Sequence, residues 1–216
     1  MEHAKNVIEY YVLCNKLKNV VRTGWKDWGV KRDRVESIAE HIYGTQMLAV
    51  AMWSEYKYDI DLKKVLSMLA MHELEETIIG DLTQFQIDAK TKAEMGKKAV
   101  GEILTKLSGG STLEELISEF EAKETNEAQF AYLCDKLECD LQCKLYDEEG
   151  TVDLTKQQEN KTAKHPLVQQ FLNSGDSWGE MWLKFGQAKY PYDAHFKEVS
   201  TYALTHKISE PKEMAD

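Results

Sequence analysis

A chain of 216 residues with 43% hydrophobic and 10% aromatic content can bury one sizeable core, and a single domain over residues 1–216 is expected. Its 27 basic and 37 acidic side chains give a formal charge of −10, with no basic stripe interleaved with aromatics, which argues against a surface for a nucleic-acid polymer. No apolar run reaches the roughly 18 to 20 residues of a membrane span, and the opening MEHAKNVIEYYVLC mixes acid and base, so no membrane association, no secretory signal and a cytoplasmic location are expected.

Three prolines and twelve glycines leave few breaks, and helical apolar spacing recurs throughout, so the expected class is all-α. The first helix is expected over about 3–21, followed by a loop, RTGWKDWGVKRDRVE. Ser37 and Glu40 stand in capping-box spacing and open a second helix to about Tyr58. A third helix runs from near Asp61 to near Gly80, a residue suited to a left-handed C-terminal position, and a fourth covers about 88–107. Gly109 and Gly110 break the chain before a second capping box, Ser111 with Glu114, and a helix to about 123. A longer helix spans 126–146 and carries Cys134, Cys139 and Cys143. With Cys14 these show no CxxC spacing, which favours buried thiols over disulfides or zinc. YDEEGTVDLTKQQEN is the most linker-like segment, HPLVQQFLNSG and WGEMWLKF are helical pieces, and a last helix covers about 193–207 before a frayed SEPKEMAD. The core is expected at about 3–146, with 147–216 a helical C-terminal extension packed on it.

On the third helix Leu62, Val65, Leu66 and Leu69 make a stripe that the same spacing carries on to His72 and Glu76. On the second, Ile38, Ile42, Thr45, Leu48, Ala49 and Met52 define an inward face that includes His41. The helix at 126–146 is apolar nearly all round in FAYLCDKLECDL, so Asp135 is poorly placed to be solvated, with Asp140 a competing candidate. Burying an ionised carboxylate without a partner costs several kcal/mol, so a divalent cation is a natural partner for this set. Imidazole and carboxylate together suit Mn, Co, Zn or Fe better than a purely oxygen-seeking ion. His3, His165, His195 and His206 fall outside these clusters and are expected in surface or packing positions.

The segments VVRTGWKDWGVKRDRVESIAEHIYGTQMLAVAM, LAMHELEETIIGDLT and FAYLCDKLECDL, in that order, resemble the HD-domain superfamily of metal-dependent phosphohydrolases, and within it the 5'-deoxynucleotidases. The resemblance covers roughly residues 15–145 and implies one HD-type helical bundle. It also implies that His41, His72, Glu73 and Asp135 are metal ligands and that Glu76 is the catalytic glutamate. Asp81 would contact the nucleotide, and Arg22 and Trp25 would bind its phosphate and sugar. The chain has His-Glu where the family has His-Asp, which sets the ligating carboxylate about one methylene farther out.

The expected activity is therefore metal-dependent release of phosphate from deoxynucleoside 5'-monophosphates by a homodimer. Two other readings fit the same residues. One is an HD-type hydrolase of another nucleotide phosphate; the other is a catalytically weakened module that binds a nucleotide or a protein partner.

Overall fold

The computed structural model describes residues 1–83 and 85–209, so the frayed tail, apart from Ser209, lies outside the described residues. Among these residues the class is all-α: helices with turns and one isolated antiparallel bridge, Val21 to Ser37. No helix among them is long and apolar enough to cross a membrane. Two compact units emerge, one of Met1–Gly24 with Glu36–Cys134, the other of Trp25–Val35 with the chain from Asp135 onward.

In the first unit the expected first helix is α1, Glu2–Asn15, which tightens into a 3-10 turn over Lys16–Asn19. Helix α3, Ile38–Tyr56, starts where Ser37 and Glu40 predict. The Ser37 hydroxyl accepts from the Glu40 N–H at 3.3 Å, and the Ser37 N–H donates to Glu40 Oε2 at 2.8 Å. Its buried face is Ile38, His41, Thr45, Ala49 and Met52. That face packs on α4, Leu62–Met71, which buries Val65, Met68 and Leu69 completely. Each of those side chains stabilises the unit by about 1.5 to 3 kcal/mol.

The third helix is shorter than its spacing suggests. It stops at Met71, residues 72–75 form turns, and a separate short helix, α5, covers Glu76–Ile79. The amides of Leu74, Glu76, Thr77 and Ile78 reach back three residues rather than four: Leu74 N–H to the Met71 carbonyl at 2.9 Å, Thr77 N–H to that of Leu74 at 3.3 Å. Gly80 closes α5 at φ 75°, a backbone that a side chain would strain.

Asp88 caps α6, Ala89–Leu104, whose buried stripe is Gly96, Ala99, Val100, Ile103 and Leu104. Helix α7, Gly110–Ala122, begins two residues too early for the expected capping box, so Ser111 lies inside the helix. The reason is steric. A Cβ at position 110 would overlap the Leu104 carbonyl, so glycine alone lets the chain turn there. Helix α8, Asn126–Glu148, carries the last residues of this unit; Phe130 on it meets Tyr58 with ring centroids 4.6 Å apart.

The second unit corrects one expectation at once. The loop after Val21 contains a helix, α2, Thr23–Trp28, and its two tryptophans, three residues apart, both bury. Trp25 meets Tyr146 edge-on at 5.4 Å and Trp178 at 5.9 Å, and Trp28 lies 5.6 Å from Trp178. Aromatic pairs in such geometry add about 0.5 to 1.5 kcal/mol beyond area burial. The linker-like stretch is partly ordered too: Thr151 is buried, and its hydroxyl donates to the Tyr146 carbonyl at 2.9 Å. The helical pieces are α9, Pro166–Asn173, α10, Trp178–Lys189, and α11, Ala194–Thr205.

Candidate metal and phosphate site

His41 is a residue of the buried face of α3, and His72 ends the buried face of α4, so two apolar stripes each deliver an imidazole to the interior of the first unit. The His72 Nδ1–H donates to the Leu69 carbonyl at 2.8 Å, which leaves Nε2 with its lone pair toward His41. The two Nε2 atoms stand 3.4 Å apart. Glu73, turned inward by the tight turns after α4, places Oε1 3.7 Å from His41 Nε2 and 3.6 Å from His72 Nε2.

This donor set fits a divalent ion. Two ligand atoms about 2.1 Å from a tetrahedral metal stand about 3.4 Å apart, close to the spacing of the two imidazoles. The three donors belong to a group of side chains able to hold a metal ion. The glutamate at position 73 therefore reaches the histidines in spite of its extra methylene.

Glu76 lies three residues beyond Glu73 at the start of α5 and is 3% exposed. Lys92, from the first turn of α6, places Nζ 3.3 Å from Glu76 Oε1, while Glu76 Oε2 is buried and accepts no hydrogen bond among the described residues. Burial, then the Glu73 and Asp81 carboxylates, push Glu76 up to about 11, and Lys92 opposes them. Burial alone would lower Lys92, but Glu73, Glu76 and Glu75 outweigh it and hold the ammonium above its ordinary value. Glu75 lies against Gly96 of α6, where a side chain would crowd it, and burial with Glu73 raises it to about 8.

Asp81 is tied to the chain start of α2: its carboxylate accepts from the Thr23 N–H, and its carbonyl accepts from the Thr23 hydroxyl at 2.9 Å. The adjacent Arg22 is half-buried, and its N–H donates to the Glu36 carbonyl at 3.1 Å, beside the Val21–Ser37 bridge that fixes this strand-like step to the start of α3. The structure thus brings Arg22 and Asp81 to the two ends of one short link through Thr23. Trp25 is buried in the aromatic cluster of the second unit. Asp135 is 5% exposed and follows Ala128 and Ala131 on one helical stripe of α8; its Oδ2 is 2.7 Å from Lys136 Nζ. Asp140, the competing carboxylate, accepts from the Tyr192 hydroxyl at 3.3 Å inside the second unit.

Two residues of this site escaped the motif-based reading, Lys92 and Glu75. A signal for Lys92 was present. It stands one turn before Gly96 on the stripe that continues to Ala99, Val100 and Ile103, so helical spacing points it inward just as it points His72 inward.

The family model described as HD domain matches residues 14–173 of this chain. A Dictyostelium discoideum protein named 5'-deoxynucleotidase HDDC2 is 34% identical over 152 residues, 67% of this chain and 79% of that protein. A Schizosaccharomyces pombe protein named 5'-deoxynucleotidase hdd1 is 28% identical over 178 residues, 78% of this chain and 87% of its own. Among solved structures, PH0347 from Pyrococcus horikoshii superposes with a TM-score of 0.65 at 23% identity, covering 91% of this chain and 98% of that one. A predicted metal-dependent phosphohydrolase from Magnetospirillum magnetotacticum gives 0.60 at 22% identity, covering 94% and 97%. At these identities the two structures speak for the fold.

Proposed function

The chain belongs to the HD-domain family, and from that premise we propose that it is a metal-dependent 5'-nucleotidase that releases phosphate from deoxynucleoside 5'-monophosphates. The observation that carries the reading is the triangle of His41, His72 and Glu73 donor atoms, 3.4 to 3.7 Å on each side, beside the buried Glu76. Relatives named 5'-deoxynucleotidase supply the substrate class.

His41, His72, Glu73 and Asp135 hold the divalent ion, which is Mn, Co, Zn or Fe. Support for Asp135 comes from its burial on the same stripe of α8 as Ala128 and Ala131. When bound, such an ion lowers the pKa of water and offsets phosphoryl charge. The chain's own groups do the rest. Glu76 moves a proton between the attacking water and the leaving 5'-oxygen, in a site dry enough to strengthen that exchange. The Arg22 guanidinium forks onto the phosphate oxygens. Asp81, next to it through Thr23, meets the nucleotide, and Trp25 shapes the sugar side, where its burial makes it a rigid wall.

The chain is one HD-type domain over 1–216, a reading supported by both units being discontinuous, so that no single cut in sequence separates them. It works in the cytoplasm, consistent with four free cysteines. It forms a homodimer, for which α3 offers an exposed apolar stripe of Tyr43, Met47, Val50 and Trp53 opposite its buried face.

The experiment is phosphate release from a panel of deoxy- and ribonucleoside 5'-monophosphates, after reconstitution with each of the four metals. Release from the deoxynucleotides with weaker release from the ribonucleotides is expected. No release from any monophosphate with any metal would rule the nucleotidase out.

A further inference from the structure

Glu76 has two oxygens in unlike surroundings. Oε1 accepts from the ammonium of Lys92 at 3.3 Å, while Oε2 is buried and takes no hydrogen bond among the described residues. A buried carboxylate oxygen without a partner is costly, and native proteins keep such atoms where something else is to be engaged. Lys92 is itself held in place. It stands at the start of α6, its stem continues the buried stripe of that helix, and it is surrounded by Glu73, Glu75 and Glu76. Rotation of the Glu76 carboxyl group would exchange the two oxygens, and the Lys92 hydrogen bond to Oε1, broken on the way, opposes that rotation. The stripe also fixes the distance: Gly96, one turn after Lys92, lets α6 approach so closely that a Cβ there would lie 3.3 Å from Glu75 Cγ.

We propose that Lys92 is a positioning residue for the reaction: it pins Glu76 by Oε1 and so dedicates Oε2 to proton exchange with the reacting groups. The proposal rests on the nucleotidase reading above for the identity of those groups. It makes Lys92 act through Glu76, and not as a phosphate ligand. The proton passes between Oε2 and the water or leaving oxygen, and Lys92 keeps its own.

A double-mutant cycle tests this in the metal-loaded protein, with Lys92→Met, Lys92→Arg, Glu76→Gln and the combination of Glu76→Gln with Lys92→Met. Lys92→Met should lower kcat roughly 10- to 100-fold, the scale of a misplaced catalytic group, with KM and metal content unchanged. Lys92→Arg should recover most of the loss. In the Glu76→Gln background Lys92→Met should cost nothing more. A loss that persists in that background, or a rise in KM, would overturn the proposal in favour of a phosphate contact. The same cycle read by thermal unfolding without metal or substrate should show the two sites to be non-additive. Additive unfolding would overturn the pair itself. Wild-type protein that releases no phosphate yet shows the unfolding coupling would overturn the catalytic role together with the nucleotidase reading, while the pair would stand.

Discussion

Two buried acids, Glu76 in the first unit and Asp140 in the second, are 3% and 4% exposed, and their surroundings set them to different work. Glu76 has a cation on one oxygen, an unengaged second oxygen and two histidines with a further carboxylate nearby. Asp140 has a neutral donor, the Tyr192 hydroxyl, and Gly186 packed so closely that a methyl group there would overlap its carboxylate. One carboxyl group keeps an oxygen without a hydrogen bond among the described residues, and the other is closely packed. Burial of an acid is thus no sign of function alone; the unengaged oxygen and the nearby imidazoles make the distinction.

Loss of the metal should separate the two acids most severely. His72→Ala removes a donor and the lone pair that faces His41, so metal content should fall to background in elemental analysis and phosphate release should vanish with it. Next in size, Glu76→Gln keeps shape but cannot exchange a proton, so turnover should fall by roughly 10²- to 10⁴-fold while bound metal persists. In the second unit the largest effect belongs to packing. Gly186→Ala should cost about 1 to 3 kcal/mol in denaturant unfolding, because the added methyl meets the carboxylate of Asp140 in a filled site.

The smallest effect is a slope. Burial raises Asp140 well above its usual 3.8, with the Tyr192 hydrogen bond and Lys136 opposing and Asp135 and Glu138 adding to it. The folded protein therefore keeps a proton that the unfolded chain releases near 3.8, so this group's stabilisation is full below that value and declines as pH rises toward the folded pKa. Asp140→Asn preserves the acceptor for Tyr192 and removes the titration. Its unfolding free energy should change less between pH 4 and 7 than that of wild type, by about 1.4 kcal/mol for each pH unit of the window. An unchanged slope would place the pH dependence elsewhere.

Much of this was legible in the sequence, and the reasons differ by element. The capping box at Ser37 is a local pattern, and its two hydrogen bonds form as the letters predict. Ser111 with Glu114 has the same letters and forms no cap, because the close approach of residue 110 to Leu104 decides where α7 starts. That approach is tertiary, and a local pattern does not contain it. The inward direction of His41 and His72 followed from helical stripes, and both are buried. The spacing also carried the third helix straight through to Gly80, whereas the chain tightens after Met71 once the His72 ring takes the Leu69 carbonyl. In those tight turns, as on a helix, residues three apart share a side, which keeps the Glu73 carboxylate beside Glu76. Trp25 and Trp28 looked like loop residues, because a six-residue helix is too short to show a period. Lys92 is one of four lysines of α6, and only its place on the buried stripe that continues through Gly96 sets it apart.

The proposed function divides the labour between two glutamates three residues apart, Glu73 on the metal and Glu76 on the proton. The direct measurement is metal content per chain of Glu73→Gln and Glu76→Gln, each purified without added ions, reconstituted with Mn and freed of excess metal. About one ion per chain is expected in Glu76→Gln, as in wild type, and a severe loss in Glu73→Gln, where a carboxylate donor has become a weak amide. Equal metal in the two variants, whether both full or both empty, would contradict that division.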